Sequence, residues 1–351
     1  MLPTTLLAAL ALAGSLLGPP ATPPPPLADD GPQIPSVTAD SWIVYDLEAD
    51  VVLARWNANV EHSMASVTKV MSAIVVLEHA DVDELVTVPA AATAARGSSA
   101  GLVAGEERTV NELLIAMLVR SGNDAALTLA SHVGGGSVDA FVQLMNAKAA
   151  ALGMTATKFA NPNGLDEEDH YSTATDLLTL TKASLDYPDI GRIARIRQLQ
   201  LPEDPTGKTR ELHTTNALLG TYPGVVGLKT GDTPWADKVL LGVAERGSRT
   251  ILTVVMHSDD HFADSRELMD WAFRTYGLRD RMLRIFFSDQ GGGAVSGATL
   301  DLTESEERRL TAMPALDDGR WRMSRLEDLP KAALIGEWLK DVLPRSVGGN
   351  G

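Results

Sequence analysis

Ser66 and Lys69 stand three residues apart in Met64-Ala65-Ser66-Val67-Thr68-Lys69-Val70-Met71-Ser72-Ala73-Ile74. Positions three apart share a helix face, so the serine hydroxyl and the lysine amine can meet without help from the rest of the chain. A hydroxyl beside an amine is the arrangement of an activated nucleophile. A serine at a helix start also lies near unpaired backbone N–H groups and the positive end of the helix dipole, which can hold an oxyanion. Alone, the pair reads first as an N-cap serine followed by a solvated lysine. Two later groups add to it. Ser121-Gly122-Asn123 offers a hydroxyl and an amide, and Lys229-Thr230-Gly231 offers a cation and a hydroxyl that can bind a carboxylate, with a glycine that lets backbone approach a substrate.

These groups need elements to position them. Val67, Val70, Met71, Ile74 and Leu77 recur with helical spacing, which predicts a helix starting at or near Ser66. Residues 110–120 and 124–133 are predicted helices, leaving Ser121-Gly122-Asn123 as a loop at a pocket edge. Lys229-Thr230-Gly231 ends an apolar strand predicted over 225–230. Further strands are predicted over 41–46 and 51–56, joined by a polar turn, and over 239–244 and 250–256, joined as a hairpin through 245–248. Residues 138–152 and 175–185 read as helices, the latter capped by Thr173 or Thr175, and 263–276 as an amphipathic helix able to cover the sheet. Residues 81–105 read mostly as loop, and Asn161-Pro162-Asn163-Gly164 as a turn. Strands from both ends of the chain with helices between them imply an α/β (α+β) fold: one antiparallel sheet flanked by helices, with a helical subdomain inserted at roughly 80–185.

Composition narrows the function. Asp and Glu number 46 against 30 Lys and Arg in 351 residues, a formal charge of −16 without a basic cluster, so nucleic acid is not an expected partner. Cysteine is absent, which excludes disulfides, thiolate catalysis and Cys-ligated zinc. His257 and His261, with Asp259, Asp260 and Asp264, superficially resemble a metal site but read as a polar connecting loop; no metal and no cofactor are expected. The apolar run from Leu6 to Leu17 and the prolines that follow read as an export signal with a Pro-rich leader, although no Lys or Arg precedes the run. No later stretch is apolar enough to span a membrane, so membrane association is not evident and an exported, extracytoplasmic location is expected.

Ser66-x-x-Lys69, Ser121-x-Asn123 and Lys229-Thr230-Gly231, in that order, are similar to the motif trio of penicillin-binding proteins and class A β-lactamases. The flanks extend the likeness: Ser121-Gly122-Asn123-Asp124-Ala125-Ala126, Asn161-Pro162-Asn163-Gly164-Leu165, Thr173-Ala174-x-Asp176-Leu177 and Lys229-Thr230-Gly231-x-Thr233. Over about 36–276 the chain resembles the low-molecular-mass penicillin-binding proteins, serine-type D-Ala-D-Ala carboxypeptidases. It departs at Asp237, where that family often has glycine. The resemblance implies a β-lactamase/transpeptidase-like fold and removal of the terminal D-alanine from peptidoglycan stem peptides through an acyl-enzyme, with β-lactams as acylating inhibitors. It further implies Ser66 as nucleophile, Lys69 as general base and Ser121 as proton relay. Asn123, Lys229, Thr230, Gly231 and Thr233 would bind substrate, and the backbone N–H groups of Ser66 and Asp232 would form the oxyanion hole. The expected organisation is a signal peptide and leader at 1–27, a linker at 28–35, the transpeptidase-like domain at 36–280, and an extension at 281–351 that is partly linker around Gly291-Gly292-Gly293, with an amphipathic pattern at 326–343.

Two alternatives stand beside this reading. A class A β-lactamase would carry its deacylating glutamate in a Glu-x-x-Leu-Asn loop. No such string occurs, and Glu167 and Glu168 read as solvated loop acids. A catalytically silent wall-binding protein would have no need of a nucleophile beside a base.

Overall fold

β1 (Ser41–Asp46) and β2 (Val51–Trp56) form an N-terminal hairpin, and β7 (Val225–Thr233), β8 (Asp237–Arg246) and β9 (Arg249–Ser258) form a C-terminal meander. In the computed structural model, which describes residues 33–288, they join as one five-stranded antiparallel sheet in the order β2-β1-β9-β8-β7. The central seam pairs β1 with β9, from Ser41 opposite Met256 to Asp46 opposite Ile251. Alternate residues point to opposite faces: Ile43, Tyr45, Leu252 and Val254 to one, Trp42, Val44, Ile251 and Val255 to the other. Both faces are covered, and for that reason these strands read as nearly continuous apolar runs. α8 (His261–Ser288) covers the second face with Leu268, Met269, Trp271 and Ala272.

The first face carries α6 (Ala174–Ser184) and, beside it, α1 (Thr68–His79). Every residue of α1 from Thr68 to Val76 is buried, the polar Thr68, Lys69 and Ser72 included. It is enclosed by α3 (Val110–Val119), α4 (Asn123–Val133) and α5 (Val138–Ala151), which with the short α2 (Ala90–Thr93) make up the helical region. Capping chemistry sets where these helices begin. Thr109 and Glu112 form a reciprocal capping box on α3, while Ser137 and Thr173 cap α5 and α6 through N–H groups three residues on.

Several elements differ from expectation. The stretch read as loop contains α2 and β3 (Leu85–Thr87), which pairs with β4 (Glu107–Thr109). α7 (Pro188–Ala194) and the hairpin of β5 (Gln198–Leu201) and β6 (Arg210–His213) were not foreseen. That hairpin is held by Arg210, whose guanidinium reaches Glu106 at 2.9 Å and Asp204 at 2.6 Å. β7 does not stop at Lys229-Thr230-Gly231 but runs through it to Thr233. Asn123 is the first residue of α4 and not part of the preceding loop. α8 continues to Ser288, past the boundary placed at 280. The export signal, the leader up to residue 32, the Gly291-Gly292-Gly293 linker and the amphipathic pattern at 326–343 lie outside the described residues.

Candidate active site

Ser66 sits in a single 3-10 turn, Ala65–Val67, that leads directly into α1. Its hydroxyl caps neither helix, so the N-cap reading does not hold. Lys69 follows one turn later with its side chain fully buried, and its Nζ donates to Ser66 Oγ at 2.8 Å. The same ammonium donates to Asn123 Oδ1 at 2.7 Å and to the Asn163 carbonyl at 2.5 Å. Three acceptors around one amine hold it in place against the Ser66 hydroxyl. Burial and the nearby charge of Lys229 push its pKa well below the ordinary lysine value, with the Asp124 carboxylate acting in the other direction.

The second wall is the α3–α4 connection. Ser121 takes up a left-handed backbone conformation, φ +62°, which a non-glycine residue adopts only under tertiary constraint. Its Oγ accepts from Lys229 Nζ at 3.0 Å. Asn123 donates its amide N–H to the Arg96 carbonyl at 2.6 Å, which fixes Oδ1 toward Lys69. Asp124 supports the loop behind: its carboxylate accepts from the N–H groups of Ala100 and Leu102 at 3.0 Å and from Ser99 Oγ at 2.6 Å.

β7 forms the third wall. Lys229 is buried and its ammonium is pushed down to about 7 by desolvation. Thr230 Oγ1 lies 2.6 Å from Thr215 Oγ1. At Gly231 a Cβ would come within 3.1 Å of the Ser66 N atom and 2.8 Å of Ala65 Cβ, so glycine is needed for the strand to pass this close to the Ser66 backbone. Asp232 follows, exposed, and the Thr233 hydroxyl is turned away to donate to Asp166 Oδ1 at 2.6 Å. Thus Ser66, Lys69, Ser121, Asn123, Lys229 and Gly231 converge, whereas the side chain of Thr233 is engaged within the protein.

The loop 161–172 closes the floor and supplies groups that the sequence did not single out. The Asn163 carbonyl receives Lys69, and Gly164, at φ +84°, presses so close that a Cβ would lie 2.0 Å from the Ala65 carbonyl oxygen. His170 accepts the Ala160 N–H at Nδ1, 3.0 Å, and therefore presents Nε2–H to Thr68 Oγ1 at 2.8 Å. Thr68 in turn donates to the Ala65 carbonyl at 2.8 Å. Burial and the charge of Lys69 hold His170 down at about 4, so the ring is neutral. Glu167 and Glu168 are exposed, and Glu167 accepts from the Asn161 amide at 2.9 Å.

At Asp237 the backbone is left-handed, φ +47°, as a glycine would be. Its carboxylate meets His257 Nε2 at 3.2 Å, and the His257 ring stacks on His62 with centroids 5.4 Å apart. The aspartate thus has an imidazole contact that a glycine would lack, in a conformation that costs a non-glycine residue about 1–2 kcal/mol. Among the described residues no cluster of three or more His, Cys, Asp or Glu side chains is arranged to hold a metal ion. No helix among them is long and apolar enough to cross a membrane.

The D-alanyl-D-alanine carboxypeptidase model of the peptidase S11 family matches residues 28–260. The D-alanyl-D-alanine carboxypeptidase DacB2 of Mycobacterium tuberculosis is 37% identical over 248 residues, spanning 68% of this chain and 84% of that protein. DacF of Bacillus subtilis is 35% identical over 246 residues; the match spans 68% of this chain and 63% of that protein's length. The crystal structure of the Streptomyces K15 DD-transpeptidase superposes with a TM-score of 0.65 at 29% identity, covering 68% of this chain and 98% of that one.

Proposed function

The chain belongs to the D-alanyl-D-alanine carboxypeptidase family of serine peptidases, and from that premise we propose that it removes the terminal D-alanine from peptidoglycan stem peptides by way of an acyl-enzyme on Ser66. The observation that carries this reading is the 2.8 Å contact of a buried lysine of lowered basicity with the Ser66 hydroxyl. A neutral Lys69 takes the proton from Ser66 Oγ as that oxygen attacks the carbonyl carbon of the penultimate D-alanine. The backbone N–H groups of Ser66 and Asp232 receive the oxyanion. Lys229 and Thr230 hold the terminal carboxylate, and Asn123 reaches the peptide amide. When the intermediate collapses, the C–N bond breaks, and Ser121, hydrogen-bonded to Lys229, gives its proton to the departing amine and takes in return the proton that Lys69 received, so that Lys69 is neutral again for the second half of the cycle. Water then attacks the ester, releasing the shortened peptide and restoring the Ser66 hydroxyl.

β-Lactams present the same terminal carboxylate and a strained amide, so they acylate Ser66 in this scheme and remain bound. The substrate lies outside the cytoplasm, in keeping with the export signal read at the N-terminus. Incubation with a peptide ending in D-Ala-D-Ala, followed by assay of free D-alanine, tests the proposal. Wild-type protein releases D-alanine and takes up fluorescent penicillin, and Ser66→Ala does neither. Labelling that survives in Ser66→Ala would remove Ser66 from its role. Rapid turnover of penicillin, in place of a lasting adduct, would mark the chain as a β-lactamase.

A further inference from the structure

We propose that Asp166 is a positioning residue for acylation: it ties together the two glycine segments that enclose the Ala65–Ser66 peptide. This role rests on the acyl-enzyme reading above. Gly164, from the loop 161–172, and Gly231, from β7, press on the same peptide unit. Cβ atoms at these positions would lie 2.8 Å and 3.1 Å, respectively, from the Ser66 N atom. The two segments are far apart in sequence, and no backbone ladder joins them. Two residues beyond each glycine, side chains make the join. Thr233 Oγ1 donates to Asp166 Oδ1 at 2.6 Å, and the Trp235 N–H donates to Asp166 Oδ2 at 3.1 Å. The Ala236 N–H donates to Thr233 Oγ1 at 3.2 Å, so the threonine hydroxyl both gives and accepts within the clamp.

The clamp closes a ring around the nucleophile's backbone. One side of that ring carries the Asn163 carbonyl, which receives Lys69 at 2.5 Å. The other side carries Gly231 and Asp232, whose backbone faces the oxyanion position in the proposed mechanism. Asp166 touches none of the reacting groups. Its carboxylate sets the separation between the base's acceptor and the strand that supplies the second oxyanion donor. Errors of about 1 Å in such a separation cost on the order of 100-fold in rate. A tie that only stabilised the fold would leave the rate per folded molecule unchanged.

The test compares wild-type chain with Asp166→Ala, Asp166→Asn, Thr233→Val and the Asp166→Ala/Thr233→Val double variant. Active sites are titrated with fluorescent penicillin, and acylation rate, kcat, KM and Tm are measured for each. Asp166→Ala is expected to lower the acylation rate per titrated site, and kcat with it, by about 10-fold to 100-fold, with KM within about twofold of wild type. Asp166→Asn keeps an oxygen for Thr233 and falls between the two. The double variant loses no more than Asp166→Ala alone, because both substitutions open one clamp. Wild-type acylation per titrated site in Asp166→Ala overturns the role, whatever its Tm. If Asp166→Ala does not fold, Thr233→Val carries the same comparison, and a wild-type rate there overturns the role equally. A wild-type chain that neither takes up penicillin nor releases D-alanine overturns the acyl-enzyme reading and this role together; an active wild type with unaltered variants overturns this role alone.

Discussion

Lys229 Nζ donates to Ser121 Oγ at 3.0 Å, joining β7 to the α3–α4 connection across 108 positions of sequence. The contact puts a titrating cation next to the group proposed to relay the proton.

The Lys229 ammonium is held down to about 7 by burial, so its charged form prevails below that pH and is lost as pH rises through it. In the proposed mechanism, binding of a terminal carboxylate needs the cation. For a peptide ending in free D-alanine, kcat/KM therefore falls above about pH 7, steepening toward tenfold per unit. The matched peptide amide, which has no carboxylate, lacks this limb. Profiles from pH 5 to 10 on both substrates decide the matter, and superimposable alkaline limbs would sink the assignment of Lys229 to the carboxylate.

Gly164→Ala should remove activity and stability together. Its backbone has φ +84°, costing alanine about 1–2 kcal/mol, and the added methyl would lie 2.0 Å from the Ala65 carbonyl oxygen. Gly153 is the control: φ +77°, with nothing within 4 Å of its Cβ position. Gly153→Ala should cost about 1 kcal/mol and leave the acylation rate unchanged. Thermal melts and penicillin labelling separate the two, and a fully active Gly164→Ala would contradict the close packing described.

His170 is neutral in the fold, with its pKa depressed to about 4 from an ordinary 6.5. Its contribution to stability is present above pH 6.5 and is lost as pH falls from there toward 4, because the unfolded chain takes up the proton first. At pH 4.5 the wild type should have lost on the order of 2–3 kcal/mol more, relative to pH 7, than His170→Gln. Denaturant titrations at the two pH values measure the difference. Equal acid sensitivity would mean that some other group drives it.

The parts of this molecule that were legible in its sequence are those in which side-chain type carries the information. β1, β8 and β9 carry apolar runs because both faces of the sheet are covered there, and the apolar residues of α1 dominate it because the helix is enclosed. Ser66, Lys69, Ser121, Asn123 and Lys229 stood out as polar groups in distinctive short strings. The Asn163 carbonyl did not, since every residue has a carbonyl and only tertiary placement makes one of them a lysine acceptor. β5 and β6 were missed because Leu201 and Leu212 are their only fully buried positions, too few for a periodic signal. Strand β7 outran its predicted end because Gly231 and Asp232 resemble a turn, while the pairing of Gly231 with Val239 keeps the strand going. Thr233 was matched to the site as a substrate contact, and its engagement with Asp166 depends on a loop 67 positions away.

The pairing of β1 with β9 has a consequence for synthesis. The strand beside Trp42 is supplied by residues 249–258, so the sheet's central seam cannot form until that last strand has been made. Until then β1 and β2 have only each other, and an isolated hairpin is marginal in water. Lys229, on β7, is made only shortly before that strand. The growing chain carries Ser66 and Lys69 long before their cleft exists, and the proposed nucleophile meets the β7 side of its cleft only when the two ends of the domain come together. Sheets closed by such distant segments fold slowly, and this one cannot close before the residues of β9 have been added.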